Sequence, residues 1–518
     1  MLAIVVLSSA LVSGGWLVER GLLGGAARAG GGPRLFDEVY DHVSREYVDT
    51  LSDSTLYTHA ARGLVEELQD PHSTYLSPDF LRLRDEHVSG KHVGVGARID
   101  VRDGWVTIVT AVVGGPAFDA GIRSGDRVVE VDSTPLSALR LDEAQHILRG
   151  HAGSAVRLTV ERPGVAGPLR FALTRGTRVS SAQHVVLLDN GVGYVALTEL
   201  DNGSALQLRR AVDSLRAVGM KTVILDLRRD PGGVLSHGVE VAELFLNTGQ
   251  RIVSTRGRIR GSSLAYDARS PQPWPQLPLA VLIDSNTARA AEVVAGALQD
   301  HDRALLVGTP TYGSGNSQTV YPLGNRGALT LTTARWYTPS GRSISRPRSL
   351  GGGDDTHTDS MAKFSTRYTT DAGRVVVGGG GITPDIPLAP TPTDTTAAAL
   401  QTALGKHIPM FRRTLTGYAR ALGASRSIAS PDFVVTPGMR AELLRRMKSR
   451  GIPIDPVTFD RARSVIDRVL GYEIAREVFG ESVEYERRVR DDSDVTRTAA
   501  IVSGATSEAA VFRRASRR

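Results

Sequence analysis

At 518 residues the chain is longer than one ordinary domain, and its hydrophobic (41%) and charged (23%) fractions are those of a globular protein with several cores, which excludes wholesale disorder. The absence of cysteine excludes disulfides, thiol catalysis and thiolate metal sites. The net charge of +7 is carried almost wholly by arginine, since lysine occurs only as Lys91, Lys221, Lys363, Lys406 and Lys448. These basic residues are spread along the chain without a dense run or interleaved aromatics, so no nucleic-acid partner is expected.

In chain order, residues 1–30 open with an apolar run to Val18, followed by small residues including Ala27, Arg28 and Ala29. This predicts an export signal or a membrane anchor and hence a periplasmic or other extracytoplasmic location, although the usual positive leader start is missing. Over 31–91 the apolar positions Phe36, Val39, Tyr40, Val43 and Tyr47, then Tyr57, Ala61, Leu64 and Leu68, recur at helical steps and predict a small helical segment closed by the turn DPHSTYLSP. Over 92–178, β-rich runs such as WVTIVTAVV, DRVVEVD and AVRLTVERP alternate with Gly and Asp turns, with SALRLDEAQHILRG as a helix between them; this outlines a compact β-domain.

Over 179–395 strands and helices alternate, as in KTVILDLRRDPGG leading into VEVAELFLNTG, which reads as an α/β layer with a largely buried sheet. PLAVLI then leads into DSNTARAAEVVAGALQD, a strand-to-helix turn expected to put Arg289 in the first turn of the helix. That is an unfavourable place for a guanidinium, because a helix N-terminus carries about half a positive charge. Residues 346–362 are expected to form a flexible insertion, and 396–518 a helical C-terminal domain.

The order of these segments, together with DPHSTYLSP, PAFDAGIRSGDRVVEVD, LDLRRDPGG, EVVAGALQDHDRALLVG, TYGSGNSQ and GGGGITPDI, resembles the C-terminal processing peptidases, the tail-specific serine proteases of the S41 family, over roughly 35–390. The resemblance implies an α+β multidomain chain: helical leader, PDZ-like domain, α/β core of the ClpP/crotonase kind and helical tail. It also implies attack by a serine that a neutral lysine activates, with the oxyanion held by backbone amides. The family pattern Thr-Ala-Ser-Ala-Ser-Glu is here TARAAE, and Phe-Gly-Lys-Gly-x-x-Gln is YGSGNSQ. The nucleophile position is thus Arg289 and the base position Ser314, with the family's spacing between them retained; Gln318 and Glu292 are also retained.

By the same resemblance, the oxyanion donors fall on Gly232, Gly233 and Ala290, and a peptide C-terminus falls on the loop and strand Gly94, Val95, Gly96, Ala97, Arg98 and Ile99, where it would add as a β-strand. No metal or cofactor is expected. The expected partners are protein or peptide C-termini, with a membrane contact through the N-terminal segment and a homo-oligomer left open. Two readings of activity follow: an inactive homologue binding protein C-termini in the cell envelope, or an active serine endopeptidase with a rewired site. For the latter, Ser285 and Ser314 are the nearby hydroxyls, and His237 and His301 the candidate bases. A third, purely structural reading makes the core a dimerisation platform for the tail.

Overall fold

The computed structural model describes residues 31–516 apart from 71, 79, 82–90, 103–104, 112–115, 124, 137–143, 145–146, 149, 152, 163–166, 180–182, 347–365 and 389–394. The leader at 1–30, most of the expected insertion and most of the helix SALRLDEAQHILRG lie outside the described residues.

The chain divides into two units. The smaller holds residues up to Ser77 and Val320–Leu331. Its helices α1 (Gly31–Glu46) and α2 (Asp53–Glu66) follow the helical spacing of their apolar residues. Ser52 caps α2 by accepting from the Thr55 amide at 3.2 Å. The segment read as a closing turn contains instead a short strand, β1 (Thr74–Leu76), antiparallel to residues 328–330. Three residues carry little periodic signal, and a partner more than 250 positions away decides their conformation.

The larger unit starts with the β-domain. β2 (Lys91–Gly94) pairs with β9 (Gly176–Val179). Between them lie β3 (Ala97–Arg102), β4 (Trp105–Ala111), the short helix α3 (Pro116–Asp119), β5 (Arg127–Val131), β6 (Thr134–Pro135), β7 (Ala155–Glu161) and β8 (Leu169–Thr174). The main sheet runs β3-β4-β5-β7-β8, so β3 lies at its edge. Val106, Ile108, Val128, Val131, Leu158 and Val160 supply its core.

The central sheet runs β10 (Gln183–Leu188), β11 (Val192–Leu197), β12 (Thr222–Asp226), β15 (Leu279–Ile283), β16 (Leu305–Gly308), β21 (Ile386–Pro387). It is parallel from β11 onward. Helices α4 (Ser204–Ala217), α5 (Leu235–Glu243) and α6 (Ala290–Asp300) connect its strands. β13 (Arg251–Gly257) forms a hairpin with β14 (Ala265–Asp267) and pairs with residues 334–337 of β18 (Ala328–Tyr337), which β17 (Asn316–Pro322) also joins. β19 (Arg367–Thr369) and β20 (Val375–Val377) make a separate pair.

The near-continuous apolar runs of the central strands reflect burial on both faces. Val195, Val223, Leu225, Val281 and Leu306 meet the connecting helices. Their strand neighbours Tyr194, Ala196, Ile224, Ala280, Leu282 and Val307 meet Val489, Val495, Ile501, Val502 and Val511 of the C-terminal tail. The tail consists of α7 (Thr395–Leu404), α8 (Ile408–Ala424), α9 (Pro437–Ser449), α10 (Pro456–Arg461), α11 (Arg463–Ile474), α12 (Glu481–Arg490), α13 (Ser493–Val502) and α14 (Glu508–Ala515). Helices α7 to α11 share a core of their own, whereas residues from α12 onward complete a layer of the central sheet. The helical segment after 395 therefore has one core of its own and contributes its last three helices to the core of the central sheet.

Electrostatics ties the same joint. Arg228, directly after β12, donates to Asp226 at 2.7 Å, Asp492 at 2.8 Å and Asp494 at 3.2 Å, and its side chain is 17% exposed. Burial opposes its charge, but the hydrogen bonds and charges of Asp226 and Asp492 hold its pKa above the ordinary arginine value. Removing one member of so enclosed a cluster leaves carboxylates uncompensated. Arg228→Ala is expected to lower stability by about 3 kcal/mol and to speed amide exchange across Ser493–Val502; unchanged exchange there would refute the clamp.

Candidate active site

β15 ends at Ile283, and Asp284 shapes the turn that follows by accepting from the Asn286 and Thr287 amides. The Thr287 hydroxyl donates to the Leu227 carbonyl at 2.8 Å, and the Ala288 amide donates to the Asp230 carbonyl at 3.0 Å. Both contacts seat this turn against the DPGG turn after β12. Helix α6 then starts at Ala290, so Arg289 is its N-cap and not, as expected, part of its first turn. Its backbone lies at φ 50° and ψ −119°, a sparsely populated combination for a non-glycine residue that costs on the order of 1–3 kcal/mol.

Glu292 holds that conformation. Its carboxylate is fully buried and accepts four hydrogen bonds: Oε1 from the Thr311 hydroxyl (2.6 Å) and the Gly313 amide (2.7 Å), Oε2 from the Ser314 amide (3.0 Å) and the Arg289 amide (3.0 Å). Burial nevertheless pushes its pKa up, against the lowering effect of these four donors. The loop 311–314 is thereby fastened to the N-terminus of α6, and the Arg289 amide also donates to Ser314 Oγ at 3.3 Å. Residues 25 positions apart are in direct contact. Ser314 is 4% exposed, whereas the Arg289 side chain is exposed and has no ion pair or hydrogen bond among the described residues.

Gly232 lies in the left-handed region, and a Cβ there would stand 2.3 Å from the Ala288 carbonyl, 2.7 Å from the Ala290 nitrogen and 2.8 Å from Arg289 Cβ. Only glycine permits this approach. Its amide is already engaged with Asp230 Oδ1 at 2.7 Å. Gly232 thus serves close packing here, and an Asx turn engages the N–H that the resemblance assigned to an oxyanion. The amides of Gly233 and Ala290 have no hydrogen-bond partner among the described residues. The Ala290 amide, at a helix N-terminus next to Arg289 in the chain, suits a carboxylate or an oxyanion.

Asp230 was not singled out from the sequence. It is fully buried, its Oδ2 has no hydrogen-bond partner among the described residues, and burial, helped by the charge of Glu199, raises its pKa to about 7 against the Gly232 hydrogen bond. The signal available in sequence was only a charged residue between a buried strand and a Pro-Gly-Gly turn.

The other expected residues scatter. No hydrogen bond joins Gln318 to Ser314 or Arg289 among the described residues. His237 is buried with Nδ1 3.2 Å from the Leu200 carbonyl. His301 caps the far end of α6, about 18 Å along the helix from Arg289, with one ring nitrogen 2.7 Å from Asp371 and the other 2.7 Å from the Arg251 carbonyl. Ser285 is exposed on the turn. No imidazole hydrogen-bonds to Ser285 or Ser314 among the described residues. In the β-domain, Gly96 takes φ 71°, Val95 is buried with its carbonyl accepting from the Ala117 amide at 2.8 Å, and the loop leads directly into the edge strand β3 through Ala97, Arg98 and Ile99.

Residues 191–351, which contain Arg289 and Ser314, match the model of peptidase family S41, and residues 107–162 match that of the PDZ domain. The chain is 35% identical over 314 residues to a carboxy-terminal-processing protease of Bartonella bacilliformis, covering 60% of this chain and 71% of that protein. It is 31% identical over 323 residues to the carboxy-terminal processing protease CtpA of Bacillus subtilis, covering 62% and 69%. Among solved structures, a photosystem II D1 C-terminal processing protease is 27% identical, with 70% of this chain and 88% of that one covered and a TM-score of 0.39. The chain belongs to the S41 peptidase family, with the PDZ domain and protease core of the carboxy-terminal processing proteases.

Proposed function

We propose that this chain is a disarmed carboxy-terminal processing protease that binds protein C-termini through its PDZ domain in the cell envelope. The observation that carries the reading is the pair Arg289 and Ser314, in contact at the start of α6 with no lysine or imidazole bonded to either among the described residues. A guanidinium is no nucleophile, and a serine hydroxyl without a base attacks poorly. Export rests on the apolar start of the chain.

Chemistry at such a site is expected to fall by on the order of 10⁶. Arg289→Ser combined with Ser314→Lys restores both groups on a scaffold that retains Glu292 and the free amides, and is expected to cleave an unstructured, apolar-tailed peptide that the natural chain leaves intact. Cleavage by the natural chain, abolished by Arg289→Ala, would overturn the reading. The free amides of Gly233 and Ala290 favour a second reading, an active serine endopeptidase with relocated groups; labelling of a serine by a fluorophosphonate probe would support it.

The PDZ reading is supported by the glycine-bearing loop 94–97 at the head of an edge strand, whose open hydrogen-bonding side can accept a further strand. A fluorescent peptide with an apolar C-terminus and a free carboxylate is expected to bind, and amidation of that carboxylate to weaken binding at least about tenfold, since a charged hydrogen bond contributes roughly 1.5–3 kcal/mol. Equal affinity for both peptides would refute carboxylate capture.

Asp230 adds a pH dependence. Its carboxyl keeps its proton in the fold up to about pH 7, whereas in the unfolded chain it loses it near the ordinary value of 3.8. Its contribution to stability is therefore complete below that value and is lost as pH rises towards 7. Asp230→Asn is expected to remove this decline, leaving the variant about 4 kcal/mol more stable than the natural chain in mildly alkaline buffer, relative to acid. Parallel stability curves for the two proteins would refute the assignment.

A further inference from the structure

We propose that the tip of the β13–β14 hairpin is a docking surface for an anionic lipid bilayer. Arg256 on β13 stands directly opposite Arg335 on β18, an antiparallel pairing of like charges that is unfavourable without a counter-charge. The turn that follows β13, RIRGSSL, adds Arg258 and Arg260. All four arginines are exposed, and none is ion-paired to a carboxylate among the described residues. The base of the same hairpin differs, because there Arg251 is paired with Asp267. Positive charge is thus neutralised at the base and left open at the tip.

Between the arginines the tip presents aliphatic side chains: Ile259 is 53% and Leu264 49% exposed. Their exposure does not come from a slack loop. The Ser262 hydroxyl donates to the Ile259 carbonyl at 2.7 Å, and the Thr255 hydroxyl donates to the Ser262 carbonyl at 2.8 Å. The Thr255 amide donates to the Leu264 carbonyl at 2.8 Å, and Arg256 lies over the Tyr337 ring, 4.3 Å from its centroid. Gly257 makes the bend possible, since a Cβ there would stand 2.2 Å from Ser262 Oγ and 2.3 Å from the Thr333 carbonyl.

A rigid turn with aliphatic side chains among unpaired arginines matches the layering of a membrane interface. Guanidinium groups bind lipid phosphates bidentately, and short aliphatic side chains enter the headgroup–acyl boundary. An acidic polypeptide would satisfy the charges, but a hairpin turn gives the exposed aliphatic groups no groove in which a chain can lie. The proposal is independent of the proteolytic state of the chain and of its N-terminal segment.

The chain has no cysteine, so Ser263→Cys in the full-length protein carries a single environment-sensitive fluorophore at the tip, where insertion of the N-terminal segment does not report. Vesicles containing phosphatidylglycerol are expected to raise its emission, pure phosphatidylcholine vesicles to leave it unchanged, and high salt to reverse the rise. Arg258→Glu with Arg260→Glu is expected to weaken this response at least roughly 30-fold, taking about fivefold per basic residue near an anionic surface, with an unchanged thermal midpoint. Ile259→Ser is expected to lower the plateau emission. An equal response to both vesicle types, or a phosphatidylglycerol response that survives the double reversal, would overturn the proposal. A rise with soluble polyglutamate but not with vesicles would also overturn it, and would identify an acidic polypeptide as the occupant.

Discussion

The site depends on the carboxylate of Glu292. It is taken wholly out of water and given four donors, two from the loop 311–314 backbone, one from the Thr311 hydroxyl and one from the backbone of Arg289. A buried carboxylate with fewer donors would cost several kcal/mol. The loop cannot drift from the start of α6 without uncovering it, and the unusual backbone of Arg289 is held by the same bonds. Thr311 extends the constraint, since its hydroxyl also accepts from the Ile382 amide at 2.7 Å and so brings the Gly-rich strand exit into the same fastening. The scaffold keeps this geometry although the residue it presents is an arginine.

Around that point the fold works as layers. The central parallel sheet is covered on one face by α4, α5 and α6 and on the other by the end of the tail, so strand residues alternate between two hydrophobic environments. Arg228 sits where the layers meet, between β12 and the carboxylates that start α13, four residues before the close-packed Gly232. The tail is thereby connected to the turn that packs on the start of α6. Its charge network explains why two polar tyrosines, Tyr194 and Tyr485, can be enclosed at this joint: Tyr194 donates to Asp226 at 2.7 Å, and the two hydroxyls lie 3.3 Å apart.

Much of the architecture was legible in residues. The β-rich runs of the PDZ domain, the strand–helix alternation of the core and the helical tail all follow from local patterns, and the motifs TARAAE and YGSGNSQ singled out Arg289 and Ser314. The short strand at Thr74–Leu76 was not legible, because its partner is distant in sequence. The engagement of the Gly232 amide was also hidden, since it depends on whether Asp230 folds back over the turn or faces water. Asp230 itself looked like an ordinary turn carboxylate, and only its burial makes it a group that titrates near neutrality.

By itself the sequence determined the order of the segments, the presence of an arginine and a serine 25 residues apart in the motifs TARAAE and YGSGNSQ, and the apolar character of the central strands. These are properties of residue identity and spacing, written along the chain. Tertiary structure alone decided that Arg289 is an N-cap with its amide against Ser314, that Glu292 binds both sides of the site, and that the tail forms the second cover of the sheet. The physical reason is the same in each case. An apolar strand declares that both its faces are covered without declaring by what, and a buried polar group must find donors that only the packed chain can bring to it.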